Sequence, residues 1–248
     1  MLKIESQGFS VFGSIARLGA RLALRVLALR VLVLTVLVLV VLASSGLGAR
    51  AAHADDTQLW SQYLFALHRA ERYDVLFYYE ARLRDQATQA SGWFSGPKIT
   101  YRLHDNLWVG GAIKHIELKG DDVIDGRLEL EVTPRGHIGR KVRVEFRNRV
   151  EVFHRRSRSD STRFRHRLRL NWMLERGKLD RLFSSMEWFH EDGDGLGDVI
   201  EERFVPLGAR FRFSKRGSID LYYLLRSRDR ATGRVQDHVL GTFFYLRR

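Results

Sequence analysis

The chain has 248 residues, no cysteine, and 42 Lys and Arg against 29 Asp and Glu, for a formal net charge of +13. The absence of cysteine excludes a disulfide framework, a thiolate metal site and a lipidated cysteine after a leader. A basic balance suits nucleic acid or an acidic surface such as lipopolysaccharide phosphates, and the export signal described next favours the surface.

Residues 1–54 read as a cleavable signal peptide. Lys3, Arg17, Arg21, Arg25 and Arg30 form a basic lead in which Glu5 is the one acid. Val31–Ala43 follows, thirteen residues with only Thr35 polar, and then the small-residue triplet Ala52-His53-Ala54. A basic lead, a short apolar run and an A-x-A site are the three parts of a secretory signal. A retained anchor needs about 20 apolar residues, so cleavage after Ala54 and export by the general secretory route are expected. The long lead suits a translation start downstream of Met1, which N-terminal sequencing of the precursor tests. The remainder, 55–248, is 194 residues with a charge of +8, enough for one domain.

Along that remainder period two dominates. Tyr73, Val75, Phe77, Tyr79, Ala81 and Leu83 alternate with a set containing Asp74, Glu80, Arg82 and Arg84. Val142, Val144, Phe146, Asn148, Val150 and Val152 alternate with Lys141, Arg143, Glu145, Arg147, Arg149 and Glu151. Phe164, His166, Leu168, Leu170, Trp172 and Leu174 alternate with Arg163, Arg165, Arg167, Arg169 and Asn171. Such patterns make strands with one apolar and one polar face. Eleven segments follow the rule, near 57–68, 73–84, 93–103, 107–118, 127–133, 140–152, 163–174, 182–190, 203–213, 218–226 and 235–246. Most are far longer than the five or six residues common in soluble sheets and match the 9–11 of a tilted membrane strand.

The links are expected to alternate. Short ones lie at 69–72, 104–106, 134–139, 175–181 and 214–217, and longer ones at 85–92, 119–126, 153–162, 191–202 and 227–234. Outer-membrane barrels have this asymmetry, with short periplasmic turns and longer outer loops. The expected fold is therefore all-β: a single antiparallel up-and-down transmembrane β-barrel over 55–248. Bacterial barrels have even strand numbers, so ten or twelve strands are expected despite eleven segments, within a range of about 10–12.

Alternation alone suits two barrels. A soluble one points its apolar face inward and a membrane one points it to lipid. Strand length, link asymmetry and aromatics near strand ends (Trp60, Trp93, Trp108, Trp172, Trp188, Phe204, Phe243, Tyr245) favour lipid. The last segment, Gly241-Thr-Phe-Phe-Tyr-Leu246, is similar to the aromatic terminal strand that barrel assembly machinery recognises, with two arginines after it. The polar face would then line the lumen with Lys141, Arg143, Arg147, Arg149, Arg163, Arg165, Arg167 and Arg169, and with Arg82, Glu80, Glu129, Glu131, Glu145, Glu151 and Glu187. Arginine pairs carboxylates bidentately and stays charged when desolvated. Two outcomes are open: an ion-pair plug filling a narrow lumen, or a positively lined pore favouring anions.

Several of these segments carry a resemblance. Lys141-Val-Arg-Val-Glu-Phe-Arg147, Arg163-Phe-Arg-His-Arg-Leu-Arg-Leu170, Glu187-Trp-Phe189, Arg203 through Gly208, Leu221-Tyr-Tyr223 and His238-Val-Leu-Gly241 occur in that order, after Trp60 and Glu80-Ala-Arg82. Together they resemble the domain of unknown function 2490 family over about Leu59 to Leu246. The resemblance implies an outer-membrane barrel and brings no assigned activity, so it transfers no catalytic residue.

No catalytic, cofactor-binding or metal-binding residue is expected. Glu191-Asp-Gly-Asp-Gly-Leu-Gly-Asp198 echoes a calcium loop but lacks its ordered ligands and terminal glutamate, and reads as a solvated outer loop. His166 and His238 sit in strands where a serine and a carboxylate would make a lipid hydrolase, yet no G-x-S-x-G motif is present. Arg155-Arg156-Ser-Arg158 falls in an outer loop, where lipopolysaccharide is a more economical partner than nucleic acid. The expected partners are outer-membrane lipids, lipopolysaccharide and the assembly machinery. The alternatives are a soluble periplasmic barrel holding an apolar ligand and an outer-membrane lipid-modifying enzyme.

Overall fold

The computed structural model describes residues 56–119, 124–155, 159–174, 177–191, 199–230 and 233–247. The expected leader, the acidic run after Glu191 and the Arg156–Arg158 stretch lie outside them. All eleven alternating segments are strands: β1 (Thr57–Arg69), β2 (Tyr73–Arg84), β3 (Gln89–His104), β4 (Leu107–Leu118), β5 (Ile124–Ile138), β6 (Val142–Arg155), β7 (Ser161–Met173), β8 (Leu179–Glu191), β9 (Glu201–Ser214), β10 (Gly217–Arg230) and β11 (Gly233–Arg247). No helix occurs among the described residues.

The strands form one closed barrel in which each pairs with its neighbours in sequence. The strand number is odd, which corrects the expectation of ten or twelve and of an antiparallel sheet throughout. Successive hairpins reverse direction, so the first and eleventh strands run the same way and can close only as a parallel pair. β1 and β11 do so without a register break, from Thr57↔His238 to Ala66↔Arg247. The other ten ladders are antiparallel.

The links are shorter than composition suggested. β10 and β11 pair out to Arg230↔Gly233, and β5 continues through Pro134 to Ile138, leaving a turn that Gly139 makes at φ 61°. One rim carries the links after β1, β3, β5, β7 and β9, and is called here the turn rim. The opposite rim carries the longer link between β8 and β9, but also the very short one between β10 and β11. Asp and Gly do not end a strand when the ladder beyond them still closes.

All three prolines lie inside strands, each at a gap in a ladder. Pairing of β3 with β4 skips from Ser95 to Lys98 around Pro97, and pairing of β5 with β6 skips from Val132 to Arg135 around Pro134. Pro206 sits in a one-residue bulge that shifts β9 against both β8 and β10. A proline cannot donate to the ladder, so it falls where no donor is needed. The bulge also flips the faces: Glu201, Arg203 and Val205 point inward before it and Arg210 after it.

Bulky apolar side chains stand exposed on the outer face of ten of the strands, among them Ile113 at 65 %, Leu130 at 57 % and Trp172 at 55 %. Carboxylates and guanidinium groups are buried inside. Two apolar clusters share the interior with them: Trp60, Phe183, Val205, Leu224 and Val239 in one, and Tyr78, Phe94, Ile116 and Phe153 in the other. Trp60 is therefore core, Phe243 packs inward on the second cluster, and Trp108 lies under Arg135; these three are not girdle residues. Trp172 is on the outer face near the turn rim, with Tyr73, Tyr101 and Phe213.

Gly208 follows the bulge, and a Cβ there would lie 2.2 Å from the Phe183 ring packed over it. Gly208→Ala should destabilise the barrel by about 1–3 kcal/mol through overpacking. Added to Phe183→Ala, the same change should cost nothing further, as read by urea unfolding of the four-variant cycle in micelles.

Candidate functional site

Alternation places the functional side chains. On β5 through β8 the odd-numbered residues point inward, so the arginine-rich rows of β6 and β7 face one another across their shared ladder. Like charges meet directly at Arg147↔Arg167 and Arg149↔Arg165. Side-by-side cations in a sheet are destabilising unless a carboxylate intervenes. Here glutamates from the same and neighbouring strands reach between them.

Glu151, fully buried, is the hub. One of its oxygens accepts from Arg163 (2.5 and 2.9 Å), and the other is 3.3 Å from both Arg149 and Arg165. Arg127 stands 3.7 Å away. Arg149 continues the chain to Glu129 (2.9 Å) and Glu131 (2.6 Å). Glu129 also holds Lys114 (2.9 Å) and Arg127 (2.5 Å), and Glu131 holds Lys98 (2.5 Å). In the other direction Arg165 grips Glu187 with two parallel bonds (2.7 and 2.8 Å), and Glu187 also accepts from Arg147 (2.8 Å). One continuous network thus runs from β3 to β8. Forked guanidinium–carboxylate pairs of this kind are the strong class of charged hydrogen bond.

Arginine also joins the charged wall to the apolar clusters. Arg82 lies over Trp60 (4.1 Å) and Phe94 (4.4 Å), and Arg203, from β9, stacks on Trp60 (4.8 Å) and Phe189 (4.4 Å). Arg163 covers Phe153 and Phe189. Of these cation–π contacts Arg203–Trp60 joins strands three apart, and the first apolar cluster follows the same arc of wall, from β8 through β9, β10 and β11 to β1.

Of the residues expected in the lumen, Glu129, Glu131, Arg147, Arg149, Glu151, Arg163, Arg165 and Glu187 belong to the continuous network. Glu145 pairs separately with Arg143 (3.1 Å), and Glu80 with Arg82 (2.5 Å) and the Tyr78 hydroxyl. Arg169 binds Asp220 on β10 (3.0 Å). Arg167 points inward beside Glu187 in register. Lys141 is corrected: it lies exposed in the turn before β6, outside the alternating row.

Sequence reasoning missed a second group: Lys98, Lys114, Arg127, Arg181, Glu201, Arg203, Arg210, Asp220, Arg226, Arg228 and Asp237. Glu201 pairs with Arg203 (2.5 Å) and Arg226 (2.6 Å), and Asp237 with Arg228 (2.5 Å). They obey the same period-two rule, but in runs too short to mark a charged row, broken on the same face by residues such as Phe183, Val205, Leu224 and Val239. The bulge at Pro206 breaks the phase that would have assigned Arg210.

His166 faces outward and bonds Asn148 (2.7 Å) beside His190, and His238 bonds Tyr223 (2.5 Å). These partners do not include the serine and carboxylate of a triad. Among the described residues no group of three or more His, Asp or Glu side chains is arranged to hold a metal ion.

The model of a family described as Protein of unknown function (DUF2490) matches residues 57–237. The chain belongs to this family. The DUF2490 match begins at the first residue of β1 and ends at Asp237, the inward carboxylate of β11, so the whole network falls within it. No curated protein matches the chain.

Replacing Glu151 by Gln leaves several buried guanidinium groups without their shared counter-charge. Loss of one member of a buried pair costs about 3–5 kcal/mol, so Glu151→Gln should lower the urea midpoint sharply. Glu202→Gln, in a half-exposed pair with Arg234, should cost less than about 1 kcal/mol.

Proposed function

We propose that this chain is an exported outer-membrane β-barrel of a Gram-negative envelope. Its lumen is closed by side chains, and it serves as a non-enzymatic structural element in contact with outer-membrane lipids and lipopolysaccharide. The carrying observation is the inverted distribution of polarity: fully buried Glu151 and Glu129 inside, and Leu130 and Trp172 exposed outside. In water an apolar exterior of this extent is an aggregation liability, whereas in a bilayer it is the lipid-facing band. The outward aromatics Tyr73, Tyr101, Trp172 and Phe213 near one rim match an interfacial girdle. A soluble barrel carrying an apolar ligand needs the opposite arrangement. A lipid-modifying enzyme finds no support in the surroundings of His166 and His238.

The closed lumen is supported by the side chains that meet inside it. Arg203 reaches Trp60, and Arg169 reaches Asp220 three strands away. The excess of inward cations over carboxylates favours a second reading, a narrow anion-favouring path.

Three outcomes are expected. The protein should stay with the outer membrane on osmotic shock and show a heat-modifiable gel shift; release without detergent refutes the placement. Leu130→Arg should cost about 2–4 kcal/mol and impair membrane insertion, as for a cation at the bilayer midplane, whereas a water-facing site would tolerate it. In planar bilayers the wild-type protein should give no steady conductance, and sustained anion-selective current would instead establish the second reading.

A further inference from the structure

The turn rim carries more cations than the network can balance. Between β5 and β10 the inward side chains there include Arg135, Arg143, Arg169, Arg181 and Arg210, and the carboxylates Glu145 and Asp220. Asp220, 2 % exposed, is already saturated: Arg210 grips both its oxygens and Arg169 takes a further bond at 3.0 Å. Glu145 serves Arg143 (3.1 Å) and Arg135 (3.7 Å). Arg181 gets neither. It is 8 % exposed, its Nε is buried without a hydrogen bond, and it makes no ion pair with a carboxylate of the described residues. Its register partner on β9 is Arg210, another cation. The Nε of Arg169 is likewise buried and unbonded.

A buried guanidinium opposite a second one is strongly unfavourable unless an anion lies between them. Among the described residues the remaining carboxylate beside it, Asp180, is taken by Arg212. The guanidinium groups of Arg143 and Arg210 retain some exposure, so the cluster has an edge open to solvent at the rim.

From this geometry we infer that Arg181, Arg169, Arg210 and Arg143 form a binding site for a phosphate-class oxyanion at the turn rim of the lumen. A phosphate monoester carries close to two negative charges at neutral pH and several acceptor oxygens, so it can serve more than one fork at once. A halide balances charge but accepts without direction. The ligand is either a free phosphate or a phosphate-bearing lipid headgroup, which share this chemistry. The site does not depend on what surrounds the barrel's exterior, so failure of the membrane placement leaves it standing.

The test is thermal unfolding of the full chain in maltoside micelles, titrated with inorganic phosphate at ionic strength held constant by sodium chloride. Wild type and Arg216→Gln, which removes an exposed turn charge at the same rim, should show a saturable rise in midpoint. Arg181→Gln should weaken the apparent affinity by about tenfold or more, the loss expected for a charged hydrogen bond. Without phosphate, Arg181→Gln should be at least as stable as wild type, because a repelling charge has gone. A short-chain phosphatidic acid is titrated in parallel. Action at much lower concentration than inorganic phosphate assigns a lipid headgroup, and equal or weaker action assigns a free solute. The site is refuted if neither probe exceeds chloride in wild type, a comparison that needs no variant. It is equally refuted if Arg181→Gln or Arg181→Lys responds like wild type.

Discussion

The structure depends on carboxylates shared among several arginines in a space largely closed to water. A single buried ion pair is a doubtful source of stability, because desolvation of both partners opposes their attraction. Glu151 and Glu129 avoid that limit through number: each is approached by at least three cations. Each arginine in turn reaches more than one acceptor or lies on an aromatic face. The charges can then be collected inside, which frees the outer face to be apolar.

That division also explains the interior's two textures. The wall formed by β5 to β8 is chiefly ionic, while β11, β1, β2, β3 and β4 contribute Val239, Trp60, Tyr78, Phe94 and Ile116. Ionic and apolar surfaces seldom pack well against each other. Arginine is suited to the boundary, since its plane stacks on a ring while its edge bonds a carboxylate. Arg82, Arg163 and Arg203 all occupy such positions. Of the two inward lysines, Lys98 has Glu131 as its ion-pair partner, while Lys114 makes a similar double contact as a point charge, with its Nζ 3.8 Å from the Tyr78 ring and 2.9 Å from Glu129.

Much of this was legible in the sequence. Period two located every strand, and the rows of β6 and β7 were assigned to one face because charge repeats there without interruption. What stayed hidden depends on information outside any local window. Whether the charged face turns in or out is decided by closure, and the pattern is the same either way. Trp60 near a strand end looks like an interfacial residue until closure brings Val239 of the adjoining β11 and Arg203 of β9 to it. The parallel partner of β1 lies at the far end of the chain. The phase of β9 changes at Pro206, where a bulge is visible only as a mismatch between two ladders. Pro134 looked like a turn because a proline inside a strand is normally excluded, an exclusion that lapses where the neighbouring ladder has a gap.

The odd number of crossings has a topological consequence. With an even number, a chain that threads into a sheet from one side returns both of its ends to that side. Here Thr57 stands at one rim, level with His238, and Arg247 stands at the other, level with Ala66. The first strand therefore begins at the rim opposite to the one where the last strand finishes. In the bilayer placement proposed above, a barrel of this kind delivers one of its two strand ends across as it seals. Two reporters fused at its ends would then be read from different sides of the same membrane.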